Sequence, residues 1–188
     1  MRRKLLALGC VAALSGGFFE NLKSTLDISL VGDAVRIEGL INSRAYGQFR
    51  RVVEDNPQVV RVIFGDIEGS TDADDVVDMG YLIRNLGMVT EILPNAEVYS
   101  GGVDLFLAGV QRRVGSGAYV GVHDWETGFG TRGSELSRSS RRHEPTRGYI
   151  EDMLGSDAFY WFTLQAAPFD GVYLMNRGDM IRFGLITH

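Results

Sequence analysis

The chain has 188 residues, the length of one domain with a sizeable core. With 45% hydrophobic and 23% charged residues it has the make-up of a soluble globular protein, and it holds no apolar run long enough to span a membrane. Its net charge of −5 argues against sequence-independent nucleic-acid binding, and its one cysteine, Cys10, excludes an intramolecular disulfide and a thiolate metal site.

The N-terminus has the pattern of a leader. Met1-Arg2-Arg3-Lys4 supplies a basic start, residues 5–14 are apolar, and Ala13-Leu14-Ser15 offers small residues for cleavage. Residues 1–17 are therefore expected to be a signal peptide or leader, with residues 18–188 forming one domain in the periplasm or outside the cell. A short N-terminal helix packed on the body is the competing reading. Lipidation through Gly9-Cys10 fits less well, because the apolar run before the cysteine is very short. Cleavage would remove Arg2, Arg3 and Lys4 and take the charge from −5 to −8.

Residues 27–30 and 35–37 read as short strands joined at Gly32-Asp33. Asn42 or Ser43 can cap a helix with Tyr46, Phe49 and Val53 on one face, ending near Asn56-Pro57. The continuous apolar run 59–64 predicts a strand covered on both faces. An acidic, turn-like stretch, 65–71, then leads into a second helix. Asp72, Asp74 and Asp75 lie in its first turn, Val76, Met79, Ile83 and Leu86 line one face, and Gly87 closes it. Strands are expected at 89–93 and 118–122, with a helical run at 103–108 between them. Residues 126–147, rich in Gly, Ser and Arg, predict a mobile loop or lid; helices follow at 149–167 and 177–183. Alternating strands and helices predict an α/β domain with a mainly parallel sheet.

Ser100 stands where a strand and turn give way to a helix. A hydroxyl there can project from a sharp turn, and the free N–H groups of the next turn can hold an oxyanion. Gly101 and Gly102 would let a substrate backbone approach without Cβ clashes. His123 falls at the C-terminal tip of the next strand, where its near-neutral pKa suits a general base. Each feature has a plain structural reading as well. A Ser-Gly-Gly turn can simply start a helix, and a strand-end histidine can simply be a satisfied structural residue.

The segment Val98-Tyr99-Ser100-Gly101-Gly102-Val103-Asp104-Leu105-Phe106-Leu107-Ala108-Gly109 resembles the nucleophile segment of ClpP-type serine peptidases in the ClpP/crotonase superfamily. Arg112-Arg113 and Ala118-Tyr119-Val120-Gly121-Val122-His123 resemble the segment that delivers the family's catalytic histidine. Val35-Arg36-Ile37-Glu38-Gly39-Leu40-Ile41, Leu82-Ile83-Arg84-Asn85-Leu86-Gly87 and Met180-Ile181-Arg182-Phe183-Gly184-Leu185-Ile186-Thr187 extend the likeness over about residues 27–187, particularly to exported bacterial members. The resemblance implies a fold of repeated ββα units with a mainly parallel sheet and flanking helices. It also implies Ser100 as nucleophile, His123 as base, and oxyanion donors at Gly69, Ser70 and Gly101.

The chain departs from the family pattern at three points. The oxyanion turn normally carries a Gly-Gly pair, whereas this chain has Glu68-Gly69-Ser70-Thr71. No aspartate falls at the acid position, where Val172 aligns; Asp170 is the candidate for orienting the imidazole, with Asp124 as its alternative. Asp104, small or apolar in the family, reads as a solvated or capping carboxylate, or else as a charge beside the nucleophile that would repel an oxyanion. In the Arg-rich loop, Arg132, Arg138, Arg141, Arg142, His143 and Arg147 could cover the site, meet another subunit or be merely solvated. Trp125 and 159–162 are expected in the core or at a subunit interface.

The expectation is a serine hydrolase acting on a peptide or protein without ATP, as a homo-oligomer, with no metal or other cofactor. It is not expected to bind nucleic acid, or to span a membrane beyond the leader. A catalytically impaired scaffold that binds or assembles is the alternative. Crotonase-like chemistry on an acyl thioester ranks last, because the chain is short for that branch and an exported protein would rarely meet coenzyme A.

Overall fold

The computed structural model describes residues 25–187. The expected leader, residues 1–17, with Cys10, lies outside the described residues. An antiparallel hairpin, β1 (Leu26–Val31) and β2 (Ala34–Ile41), opens the fold, turning at Gly32 with φ of 63°. Helix α1 (Ala45–Asp55) buries Phe49 and Val53 as the spacing predicts. Its N-cap is Arg44 rather than Asn42 or Ser43, but Asn42 still holds the entry, its Oδ1 accepting from Arg44 N–H at 3.0 Å.

β3 (Arg61–Ser70) runs parallel to β2 and continues through the stretch expected to be a turn, its register against β2 slipping twice between Phe64 and Gly69. It then forks the sheet. Its first half, Arg61 to Phe64, pairs with β4 (Val89–Ile92), and Ile67 pairs with Val98 of β5 (Glu97–Tyr99). β6 (Arg112–Val114) extends the β4 side and β7 (Tyr119–Val122) the β5 side, where the edge strand β8 (Tyr173–Leu174) runs antiparallel. Helices therefore do not separate every pair of successive strands: β4 leads to β5, and β6 to β7, by short connections, so one helix follows two strands. The architecture is a mixed α/β sheet, mostly parallel and flanked by helices, of the ClpP/crotonase type.

α2 (Ala73–Asn85) is capped by the Asp72 carboxylate, which accepts from the N–H groups of Asp74 and Asp75, each at 3.1 Å. Val76, Met79 and Ile83 are buried, whereas Leu86, one residue past the helix, turns out to solvent. α3 (Gly101–Phe106) is buried along most of its length and is anchored at its far end by two guanidinium groups. Arg112 donates to the carbonyls of Gly109 (2.7 Å), Gly184 (2.9 Å) and Leu185 (3.0 Å), while Arg84 donates to those of Leu107 and Met153, both at 3.0 Å. Buried donors spent on helix-end and turn carbonyls lock α3 to the C-terminal segment.

The expected long helix over 149–167 is two helices, α4 (Glu144–Leu154) and α5 (Ala158–Ala166), separated at Gly155 with φ of 76°. The fold ends with α6 (Arg177–Arg182), capped by Asn176. Phe159 and Tyr160 are core residues, with Trp125, Trp161 and Phe162 packed against them.

The segment expected to be a mobile loop or lid is a cover largely exposed to solvent but tied to the body at several points. Trp125 Nε1–H donates to Tyr160 Oη at 2.9 Å, and Tyr160 Oη lies 2.6 Å from buried His143 Nδ1. His143 Nε2 meets the Ser137 carbonyl at 3.1 Å, and since a carbonyl only accepts, Nε2 donates. The Arg138 guanidinium sits 4.1 Å over the Trp161 ring, and Arg132 pairs with Glu126 at 3.2 Å.

Candidate active site

The site forms at the C-terminal ends of β3, β5 and β7, the edge where parallel sheets place ligands. Tyr99 pairs with Gly121, so Ser100 and His123 leave neighbouring strand tips. Ser100 has φ of 52° and ψ of −126°, a conformation that favours glycine and costs a serine about 1–3 kcal/mol. The turn is held because Ser100 N–H donates to the Gly121 carbonyl at 2.9 Å while the Ser100 carbonyl accepts from Val103 N–H at 2.8 Å.

Glycines make this corner possible. A Cβ on Gly69, whose φ is +132°, would lie 3.3 Å from Ser100 Cβ. One on Gly101 would run into Ser70, with only 2.7 Å to Ser70 Cβ, and one on Gly102 would lie 2.9 Å from Ile67 Cβ. Gly101 and Gly102 thus let α3 sit directly on β3. Their first duty is to the protein's own packing, not to an approaching substrate backbone. Gly101, whose N–H at the first position of α3 has no intrahelical acceptor, borders the cavity with Gly69 and Ser70.

That cavity has a volume of about 530 Å³. Ser100, His123, Gly69, Ser70 and Gly101 all line it; Trp125, Thr127 and Thr146 of the cover and its flanks, with Tyr149 and Phe169, complete its walls. No hydrogen bond joins the Ser100 and His123 side chains among the described residues. His123 Nδ1 instead lies 2.6 Å from the backbone carbonyl of Asp124. The carbonyl accepts, so Nδ1 carries the proton and Nε2 keeps its lone pair. Burial holds the imidazole below its ordinary pKa, against the opposing pull of the Asp124 carbonyl and carboxylate.

Asp170 is not brought to the pair. It is exposed and lies outside the cavity wall, near the charge of Arg132. The imidazole is oriented by a neutral carbonyl in place of that carboxylate. The Asp124 side chain points elsewhere, as alternation along an extended chain requires: its two oxygens accept from Ser134 N–H at 3.1 and 3.2 Å and hold the cover. The sequence carries no signal for a backbone acceptor.

Asp104 caps no helix end; its half-buried carboxyl opens into the cavity. It lines the cavity one helical turn beyond Ser100, and its carboxyl has no hydrogen-bond partner among the described residues. Burial pushes its pKa up to about 7, so near neutral pH a large share is uncharged and repels an oxyanion little. Its spacing from Ser100 was the only hint in the sequence. Among the described residues, no cluster of three or more His, Cys, Asp or Glu side chains could hold a metal ion, and no helix is long and apolar enough to cross a membrane.

No protein-family model matches the sequence, and no curated protein matches it. Among solved structures the fold is that of the ClpP-like proteases and the crotonases. A mutant of the 1510-N membrane-bound stomatin-specific protease in complex with a substrate peptide is 17% identical over 81% of this chain and 71% of its own, with a TM-score of 0.56. DspI of Pseudomonas aeruginosa is 12% identical over 92% of this chain and 75% of its own, at TM-score 0.55. An enoyl-CoA hydratase from Thermoplasma volcanium is 12% identical over 86% of this chain and 69% of its own, at TM-score 0.54. At such identities the likeness is one of fold.

Proposed function

We propose that this chain is a serine hydrolase acting on peptides, with Ser100 as nucleophile and His123 as general base. The observation that carries the reading is the strained Ser100 turn, pressed between Gly69 and Gly101 in a cavity shared with an imidazole whose Nε2 is free to accept a proton. Strain held at one serine in a pocket is a mark of an activated hydroxyl. In the first step Ser100 Oγ bonds to the substrate carbonyl carbon as its proton passes to His123 Nε2. The oxyanion so formed takes the Gly101 N–H, with the Gly69 or Ser70 N–H as second donor. The C–N bond then breaks as His123 returns the proton to the leaving amine, and water releases the acyl group by the same steps. An unliganded site commonly holds its catalytic hydrogen bonds long, tightening them when substrate binds.

The peptide assignment draws on the protease that shares the fold, whose structure contains a substrate peptide. ATP independence, export and residence in the periplasm or outside the cell follow from the leader pattern of residues 1–17 and belong to the same proposal. So does assembly into a homo-oligomer, a common habit of both fold branches.

A fluorophosphonate probe tests the chemistry. Wild type should label at Ser100, and the Ser100→Ala variant, checked for fold by circular dichroism, should not. A folded wild type that never labels overturns the proposal. It would favour a second reading, a binding or assembly scaffold, for which the absence, among the described residues, of a carboxylate behind His123 and of a direct Ser100–His123 hydrogen bond both speak.

A further inference from the structure

We propose that Asp104 makes the cavity selective for a cationic side chain, so that the substrate segment seated beside Ser100 carries lysine or arginine. As a statement about substrate, this rests on the hydrolase reading above; as a statement about binding, it stands on the cavity alone.

The cavity wall is strongly unbalanced in charge. Glu68, Asp72, Asp74, Asp104 and Glu126 border it, against Arg142, which is exposed. Most of these carboxylates are engaged or peripheral. Asp72 caps α2, Glu126 pairs with Arg132, Asp74 is exposed in the first turn of α2, and Glu68 has a partner of its own. Asp104 differs in kind, since it is half-buried in the wall and no donor meets its carboxyl among the described residues.

Much of the remaining cavity wall is apolar. Val76 and Val77 of α2, the Tyr149 ring, Leu40 and Phe169 border the same space. A long side chain with a methylene stem and a charged tip fits such a wall, with carbon against the apolar surface and the cation against the carboxyl. A guanidinium or ammonium would make a charge-assisted hydrogen bond in partly desolvated surroundings. A neutral chain of the same shape would leave the carboxyl unpaired, and sites built this way reject the partner that cannot pair. Asp104, held near pKa 7 by burial, would be drawn to its charged form by the incoming cation.

Calorimetric titration of the full chain at pH 7.5 with n-butylguanidinium, and with its neutral counterpart n-butylurea, tests the assignment. Wild type should bind the guanidinium at least tenfold more tightly than the urea, a comparison that needs no variant to fold. Ser100→Ala should keep that preference and Asp104→Asn should lose it. Equal affinity for the two probes in wild type, or a preference undiminished in folded Asp104→Asn, overturns the proposal. The two readings fail separately. Fluorophosphonate labelling without a cation preference removes the Asp104 assignment and leaves the hydrolase. A cation preference without labelling does the reverse.

Discussion

The two sides of the cavity are built on different principles. On the serine side everything is backbone fit: a turn at φ of 52°, a glycine at φ of +132° against it, and a helix start where an added Cβ would collide with Ser70 or Ile67. On the histidine side the fit is looser and rests on polar contacts, with an imidazole held by one carbonyl and a cover tied down by Asp124, Tyr160 and His143. The nucleophile's position is therefore determined by steric exclusion, which tolerates almost no change. The base's position is determined by hydrogen bonds, which can adjust when a substrate arrives. Damage to the first side should abolish chemistry, whereas damage to the second should tune it.

The largest effect is expected at Gly101. An added methyl would collide with Ser70 and reach 3.2 Å from Val76 Cγ2, so Gly101→Ala must move α3 away from β3 or push Ser70 aside. The first response misplaces the Gly101 N–H and the second the Ser70 N–H, so each disturbs a proposed oxyanion donor. Loss of one oxyanion donor costs about 10²–10³ in rate, and fluorophosphonate labelling of the folded variant should fall by that order. Labelling within threefold of wild type would show that the serine side is not held by steric exclusion.

A smaller effect, opposite in sign, is expected at Asp104, which borders both sides. Its pKa is raised from 3.8 to about 7 by burial. The folded state therefore keeps a proton that the unfolded chain releases, and stability falls as pH rises from about 4 to about 7. Above that window an isosteric amide removes the cost. Asp104→Asn should be more stable than wild type by about 1–2 kcal/mol at pH 8, a figure kept well below the full shift because the carboxyl opens onto solvent in the cavity. At pH 4 the gain should vanish. Urea denaturation at the two pH values measures both, and a gain independent of pH would mean that charge burial is not its cause.

The same contrast explains what could be read from the sequence. Ser100 and His123 on adjacent strand tips were legible, because strand order and motif spacing are carried by side-chain patterns. The course of β3 was not. Gly65 and Gly69 among acidic residues look like a turn, yet Gly69 is set by a φ of +132° and a tight approach to Ser100, where a Cβ would lie 3.3 Å from Ser100 Cβ, a tertiary cause without a local signature. The partner of His123 was illegible for a different reason: a carbonyl belongs to every residue, so no residue type marks it, whereas a carboxylate such as Asp170 stands out by type alone. Gly155, which divides the helix expected over 149–167, was visible in the sequence and outweighed by the aromatic run beside it.

The smallest effect tests that carbonyl directly. If the Asp124 carbonyl alone orients His123, the base titrates without help from a carboxylate at Asp170. Desolvation then lowers the His123 pKa below the ordinary 6.5. Neutral imidazole is the competent form, so labelling of Ser100 should be lost as pH falls through that lowered pKa, with its half-maximum below 6.5. Asp170→Asn should leave both the midpoint and the plateau unchanged, with the rate altered less than twofold, because the residue is exposed and outside the cavity. A carboxylate paired with Nδ1 would act in the opposite direction, raising the midpoint above that of free imidazole and making it fall when the charge is removed. A downward shift in Asp170→Asn would therefore show that the acid reaches the histidine once substrate or probe is bound, and that the polar side of the cavity rearranges on binding.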